Sequence, residues 1–147
     1  MKIGKLDHVN LRTQRLDEMV EWYGRVLGMP SGDRPNFPFP GAWLYADGHP
    51  TIHLNGCDTV APQADDLTLE HFALKASGLN DFIARLEREQ EDFKIAAVPG
   101  APVVQVNVWD PDGNHVHIDF AAAEAEGLDL PNKARFGAGG RLIPIDG

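Results

Sequence analysis

The chain repeats itself, and this duplication constrains the fold more than any other feature of the sequence. The heptapeptide at residues 6–12 aligns with that at residues 69–75 at an offset of 63, matching leucine, acid, histidine, leucine and base. A second pair of segments, residues 52–54 and 116–118, aligns at an offset of 64, again around a histidine. Two related modules, each with an early and a late histidine, are therefore predicted.

Each module is predicted to have the element order βαβββ. A strand over 3–12 precedes a helix over 15–27, whose apolar side chains follow helical spacing and which ends at Gly28. Short strands follow near 31–36, 42–46 and 51–55. The second module repeats this order with a strand at 68–75, a helix at 79–89 and strands near 93–98, 103–109 and 115–120. Such a chain is α+β in class.

The repeat also sets the predicted domain boundaries. Residues 1–121 form one domain, composed of module one (1–56), a linker (57–67) and module two (68–121). Residues 122–147 are a C-terminal tail outside the repeat. A helical turn is predicted from Ala121 to Glu126, and the glycine-rich end of the tail is expected to be an arm or partly disordered.

Strand alternation places all four histidines of the repeated segments on polar faces. Side chains on a strand point alternately to opposite faces, so Val9 and Leu11 oppose His8 and Asn10. The same parity sets polar side chains apart from apolar ones in the other histidine-bearing strands. If the sheets curl into a cup-shaped, mostly antiparallel open barrel, four side chains meet on its inner surface: His8, His53, His71 and His117.

Four converging imidazoles predict a metal site. Neutral imidazole is the commonest protein metal ligand, and it suits iron, nickel or zinc better than magnesium or calcium. A lone histidine on a strand is more often an ordinary surface or core residue, but the duplication favours one divalent ion, Fe²⁺, Ni²⁺ or Zn²⁺. His49 and His115 have no duplicated counterpart and are expected to be solvated or at the rim.

Composition narrows the classes of partner. The net charge of −9 disfavours nucleic acid and anionic membranes, which select basic surfaces. A single cysteine, Cys57, excludes an internal disulfide and a thiolate zinc site. No apolar stretch approaches the roughly 18 residues of a membrane span, and no signal-peptide core is evident. A cytoplasmic location is therefore expected.

The sequence resembles the glyoxalase / bleomycin-resistance / extradiol-dioxygenase family, the vicinal-oxygen-chelate superfamily. The resemblance covers residues 5–121 and is carried by Leu6-Asp7-His8-Val9, Trp22-Tyr23 before Val26-Leu27-Gly28-Met29, Leu69-Glu70-His71-Phe72-Ala73 and Asp110-Pro111-Asp112-Gly113-Asn114. It implies the glyoxalase/dioxygenase fold, a homodimer, and metal ligands at His8, His53, His71 and His117. The chain departs from the family pattern, in which the position of His117 is most often glutamate and that of His53 often is.

The resemblance implies a metal-dependent enzyme that acts on a small oxygen-bearing molecule, and three functions follow from it. A dioxygenase ranks first, because all-histidine sites support O₂ chemistry. A glyoxalase-type lyase or isomerase ranks second, because it needs a base and neither His53 nor His117 is a carboxylate; His53 itself or Asp119 would have to serve. A ligand-sequestering module of bleomycin-resistance type ranks third. The predicted substrate contacts are Arg12, Trp43, Tyr45, Gln105 and Asn107.

Overall fold

A computed structural model describes residues 1–60 and 68–145. The chain divides into two compact units, Met1–Asp65 and Asp66–Gly147. Part of the predicted linker, residues 61–67, lies outside the described residues. Unit one contains β1 (Val9–Thr13), α1 (Leu16–Leu27), β2 (Ser31–Gly32), β3 (Gly41–Ala46) and β4 (His49–Gly56). Unit two contains β5 (Phe72–Lys75), α2 (Leu79–Arg88), β6 (Phe93–Ala97), β7 (Val103–Trp109) and β8 (His115–Ala121).

The two units have the same sheet topology. Unit one orders its strands β1-β4-β3-β2, and unit two orders them β5-β8-β7-β6. In both, the first strand pairs in parallel with the last, and the remaining pairings are antiparallel. This confirms the predicted α+β class and the two βαβββ modules. The strands that follow His8 and His71 are therefore direct neighbours of the strands that carry His53 and His117, β1 beside β4 and β5 beside β8.

The core of unit one lies between α1 and its sheet. The helix buries one face, formed by Met19, Trp22, Tyr23 and Val26, against β3 and β4. It ends at Gly28, which adopts the left-handed conformation (φ 66°) that glycine tolerates at a helix C-terminus. Leu44 on β3 and Ile52 and Leu54 on β4 are fully buried, as strand alternation predicts.

The core of unit two is also formed by apolar side chains of one helix and one sheet. The helix α2 buries Leu79, Ile83 and Leu86. Strand alternation also buries three positions on β7 and three on β8: Val104, Val106, Val108, Val116, Ile118 and Phe120. The opposite face of the same strands carries the polar side chains, so the apolar core fixes where the polar side chains point.

The tail begins with a 3₁₀ helix and ends in a hairpin. The predicted turn near 121–126 is a 3₁₀ helix over Ala122–Ala125. Strands β9 (Ala134–Phe136) and β10 (Leu142–Pro144) form an antiparallel hairpin that the sequence analysis did not predict. The backbone N–H of Ile95 on β6 donates to the carbonyl of Asn132 (3.0 Å), so the tail supplies a hydrogen-bond partner at the edge of the sheet.

Several strands are shorter than predicted. The first strand of each module begins only at Val9 and at Phe72, because pairing with β4 and β8 starts there. His8 and His71 therefore each lie one residue before their strand. The strand predicted near 31–36 is reduced to Ser31–Gly32. Among the described residues, no helix has the length and apolar character to cross a membrane.

Candidate metal centre

In unit one the two predicted histidines stack on each other. The imidazole of His8 lies 3.9 Å from that of His53, with 12° between the ring planes. Trp43 stacks on His53 as well, at 4.1 Å and 10°. The Nε2–H of His53 donates to the carbonyl of Pro50 (3.1 Å), and burial, with the nearby His8, lowers the pKa of His53. His53 is therefore a neutral imidazole held in a defined orientation.

An acidic neighbour orients His8. The Nδ1 of His8 lies 2.6 Å from the Asp7 carboxylate, which leaves Nε2 as the ring atom with a free lone pair. The hydrogen bond to His8 lowers the pKa of Asp7. Carboxylate–histidine pairs of this kind fix the tautomer and the ring orientation of metal-binding histidines.

Unit two repeats the stacked pair and adds a third histidine. His71 and His117 lie 3.7 Å apart with 13° between their ring planes, as His8 and His53 do in unit one. His115 packs edge-on against both, at 4.6 Å from His117 and 5.6 Å from His71. Three imidazoles of one unit thus share one small region.

Glu70 connects two of these imidazoles. One of its carboxylate oxygens pairs with Nδ1 of His71, and the other lies 2.8 Å from Nδ1 of His115. Burial alone would raise the pKa of Glu70, but the hydrogen bonds with His71 and His115 outweigh it and hold the pKa below its ordinary value. Glu70 is therefore an ionised carboxylate in contact with two of the three imidazoles.

The four side chains fit a divalent cation. One ligand atom each from Glu70, His71, His115 and His117 lie within 4.8 Å of one another. Ligands on one zinc-like ion at about 2.1 Å lie at most about 4.2 Å apart, so small side-chain rotations bring the set into range. Nδ1 of His117 is also buried with no hydrogen-bond partner in the described part of the chain. A buried polar atom without a partner is costly, and a cation satisfies this nitrogen in the ring tautomer that leaves its lone pair on Nδ1.

The charge state of His117 suits a ligand. Burial lowers the pKa of His117 to about 4, and the neighbouring His71 and His115 act in the same direction. The ring is neutral at neutral pH, which is the form that binds metals.

Comparison with known proteins identifies the family. Residues 5–118 match the Glyoxalase/Bleomycin resistance protein/Dioxygenase superfamily. The chain belongs to this superfamily. A relative, Glyoxylase I 4 of Arabidopsis thaliana, is 29% identical over 129 residues, covering 80% of this chain and 71% of the relative. The resemblance inferred from the sequence motifs is confirmed.

Solved structures of the superfamily share the fold. A putative glyoxalase family protein from Bacillus anthracis superposes with a TM-score of 0.68 at 21% identity, covering 82% of this chain and 98% of the other. Lactoylglutathione lyase from Agrobacterium tumefaciens superposes with a TM-score of 0.63 at 16% identity, covering 87% and 100%. At these identities the similarity establishes the glyoxalase fold and nothing further.

Sequence reasoning missed two members of the cluster in this superfamily chain. His115, expected to be solvated or at the rim, has a side chain only 10% exposed, because Trp109 stacks on it at 5.0 Å and Glu70 and Asn107 contact its nitrogens. His115 and His117 are two residues apart on one strand and therefore lie on the same face, and this spacing could have indicated that His115 belongs to the cluster. Glu70 was visible as the counterpart of Asp7, but a role for it depends on His115 being close.

The predicted substrate contacts of unit one have different surroundings. Arg12 is exposed on β1. The indole ring of Trp43 stacks on the imidazole of His53. The hydroxyl of Tyr45 donates to the carbonyl of Asp33 (2.6 Å). Of these three side chains, Arg12 is the one most accessible to solvent.

In unit two, the predicted residues Gln105 and Asp119 are cross-strand neighbours on β7 and β8. Each has a buried side-chain oxygen, Oε1 and Oδ1, with no hydrogen-bond partner among residues 1–60 and 68–145. Burial raises the pKa of Asp119. Asn107, also predicted to contact substrate, is 0% exposed and bonds within the protein.

Proposed function

We propose that this glyoxalase-superfamily chain is a divalent-metal-dependent enzyme that acts on a small oxygen-bearing molecule. The observation that carries the proposal is the Glu70, His71, His115 and His117 cluster, whose ligand atoms lie within 4.8 Å of one another. Imidazole and carboxylate donors suit Fe²⁺, Ni²⁺ or Zn²⁺. Such an ion, when bound, polarises the oxygens of a substrate as a Lewis acid.

We place a glyoxalase-type lyase or isomerase first, ahead of the dioxygenase that the sequence alone ranked higher. The sequence argued against a lyase because neither His53 nor His117 is a carboxylate. Glu70 and Asp119 together answer that objection, since Glu70 brings a carboxylate ligand to the cluster and Asp119 lies on the same face of β8 as His117. The name of one relative, Glyoxylase I 4, supports the same reaction class.

Asp119 is the proposed general base. A lyase of this type must move a proton on a carbon beside a carbonyl. Asp119 lies two positions beyond His117 on β8, on the same face, and its buried Oδ1 has no partner in the described chain. Oε1 of Gln105, the cross-strand neighbour, would accept a hydrogen bond from a substrate hydroxyl.

The dioxygenase is the second candidate, for one specific reason. Two histidines and one carboxylate form the ligand set typical of non-haem iron oxygenases, and His71, His117 and Glu70 offer that set. A ligand-sequestering module remains the alternative to both reactions. That alternative does not explain why three imidazoles and a carboxylate converge.

Several further predictions concern the residues of unit one, the assembly and the location of the protein. That His8 and His53 bind the same ion as His71 and His117, and that His53 serves as an acid or base, stay predictions. So do the substrate contacts of Arg12, Trp43 and Tyr45, the homodimer and the cytoplasmic location. Light scattering on the purified protein measures the oligomeric state directly.

Metal content and turnover test the proposal. Protein purified without added metal is subjected to elemental analysis, then reconstituted with Ni²⁺, Zn²⁺ or Fe²⁺. We expect about one ion per chain and turnover of a hemithioacetal made from an α-ketoaldehyde and a thiol. Oxygen uptake with Fe²⁺ and a catechol would favour the dioxygenase instead. The variant His117→Ala should lose both metal and turnover, whereas His49→Gln, outside the cluster, should keep them. Metal-free protein that gains no activity with any of the three ions would contradict the proposal.

A further inference from the structure

Asn107 is a fully buried polar residue beside the candidate metal centre. It lies in the middle of β7, opposite His117 on β8, and is 0% exposed. A buried amide in the centre of a sheet is costly unless its donors and acceptor are all used. Both ends of this amide bond within unit two, which gives the side chain one defined orientation.

Backbone carbonyls determine that orientation. The Nδ2 group of Asn107 donates to the carbonyl of Lys94 (3.2 Å) and, more weakly, to that of Gln105 (3.5 Å). A carbonyl oxygen only accepts hydrogen bonds, so the amide cannot be rotated to exchange its oxygen and nitrogen without placing two acceptors together. Oδ1 of Asn107 therefore faces His115.

The orientation of Asn107 determines which nitrogen of His115 carries a hydrogen. Nε2 of His115 lies 2.9 Å from Oδ1 of Asn107, and because Oδ1 only accepts, Nε2 must be the donor. In a neutral imidazole the lone pair is then on Nδ1. Trp109, stacked on His115 with 10° between the planes, restrains the ring from turning over.

The lone pair on Nδ1 faces an acceptor. Nδ1 of His115 lies 2.8 Å from the Oε1 atom of Glu70. Two atoms that both present lone pairs at this distance repel each other unless a positive charge lies between or beside them, which is a proton on Nδ1 in the metal-free protein or a metal ion bound to both atoms in the loaded one. Neighbouring ligands of one ion at about 2.1 Å are about 3 Å apart, so this spacing is that of two adjacent metal ligands.

We propose that Asn107 is a positioning residue that holds His115 in its Nε2–H form, so that Nδ1 is the atom through which His115 binds the metal. The proposal rests on the proposed metal centre and extends it to a residue outside the ligand set. Outer hydrogen bonds of this kind orient metal-binding histidines and set their affinity.

Nitrogen-15 NMR of the wild-type protein tests the assignment directly. In metal-free protein we expect Nε2 of His115 to carry a hydrogen. After loading with ¹¹³Cd²⁺, we expect cadmium–nitrogen coupling at Nδ1 of His115 and none at Nε2. Coupling at Nε2, or no coupling at either nitrogen while His71 and His117 couple, would overturn the proposal.

Two variants isolate the hydrogen bond to His115. Asn107→Asp keeps an acceptor toward His115, and its second oxygen, protonated because it is buried and faces the Lys94 carbonyl, replaces the Nδ2 donor. Asn107→Leu, of similar size, removes both the acceptor and the donor. We expect Asn107→Leu to weaken Zn²⁺ binding by about 10–100-fold and Asn107→Asp to stay within about threefold of wild type. Equal losses in both variants, with circular dichroism unchanged, would mean that Asn107 acts only on packing and would refute the positioning role.

These experiments distinguish a failure of the metal centre from a failure of the positioning role of Asn107. If wild-type protein takes up no cadmium at the cluster, the metal centre and the Nδ1 ligand are both contradicted. If cadmium binds but the metal-free spectrum places no hydrogen on Nε2 of His115, the metal centre stands and the role of Asn107 is contradicted.

Discussion

His71 and His117 lie flat against each other, 3.7 Å apart and 13° from parallel, in the same arrangement as His8 and His53 at 3.9 Å and 12°. The stack follows from the topology, because the strand after each early histidine pairs in parallel with the strand that carries the late one. Unit two differs from unit one in adding Glu70 and His115 to a cluster of possible ligands.

Removing one ligand of the cluster should release the metal. We expect His71→Ala to weaken Zn²⁺ binding by more than the roughly 10–100-fold typical of an outer-shell change, because a bond to the ion itself is lost. Isothermal titration calorimetry measures the affinity. His71 has a side chain 39% exposed, so the variant should fold normally. Affinity unchanged from wild type would exclude His71 as a ligand.

Metal-free protein should lose stability as the solution becomes acidic. The folded-state pKa of His117 is about 4, below the ordinary value of 6.5 expected when unfolded. The unfolded chain therefore takes up a proton first, and stability present above about pH 6.5 is lost as pH falls toward 4. The lowered pKa values of His53 and His115 act in the same direction.

Urea unfolding in the presence of a chelator measures this dependence. The unfolding midpoint of wild type should fall between pH 7 and pH 4, and His117→Gln should show a smaller fall. The slope with pH separates titration from packing, because a packing loss lowers the midpoint equally at both pH values. An identical slope in the variant would exclude His117 as a source of the acid sensitivity.

Much of this architecture is readable from the sequence because it depends on short-range patterns. The duplication gave the βαβββ order, and the spacing of Met19, Tyr23 and Val26 placed α1 to within one residue at its start. Strand parity correctly separated the buried Ile52 and Leu54 from the polar neighbours. These features depend on the spacing of apolar and polar residues within short segments, and that spacing can be read directly from the sequence.

The residues that sequence reasoning missed depend on contacts between distant segments. His115 has no duplicated counterpart, and its burial results from Trp109 and Glu70. The hairpin of β9 and β10 has weak strand signals because glycines surround it, and it forms beside the edge of β6. The sequence pattern of a single segment does not show which distant residues contact His115 or which strand the hairpin lies beside.

Glu124 should stabilise α2 although it lies far from that helix in sequence. The helix has no capping side chain of its own, and the Glu124 carboxylate accepts hydrogen bonds from the backbone N–H groups of Gly78 (2.7 Å) and Leu79 (2.9 Å). A carboxylate at a helix N-terminus also interacts favourably with the helix dipole. We expect Glu124→Ala to lower the free energy of unfolding by about 1 kcal/mol.

Glu126→Ala is the matched control for this cap, since Glu126 is an exposed acid two residues after Glu124, and the two hydrogen bonds at the start of α2 come from Glu124. Chemical denaturation of both variants gives the comparison. Equal stability of the two variants would show that the tail contributes nothing to the start of α2.

Asp110 should stabilise the turn that precedes β8 and thereby position His115 in the cluster. This side chain is only 4% exposed, and it accepts hydrogen bonds from the backbone N–H groups of Asp112 (3.0 Å) and Asn114 (2.9 Å) and from the Asn114 amide (2.9 Å). Removing the acceptors leaves buried donors unpaired, at about 1–3 kcal/mol. We expect Asp110→Ala to lose stability of that order and also to weaken Zn²⁺ binding, because β8 starts at His115.

Asp110→Asn separates these two effects. It retains one oxygen that can accept from the turn, so its loss of stability should be smaller than that of Asp110→Ala, and its Zn²⁺ affinity should stay closer to wild type. Thermal unfolding and calorimetry supply the two measurements. If Asp110→Ala loses stability but binds Zn²⁺ as wild type does, the turn is needed for folding only, and the position of His115 is set by Trp109 and Asn107 without it.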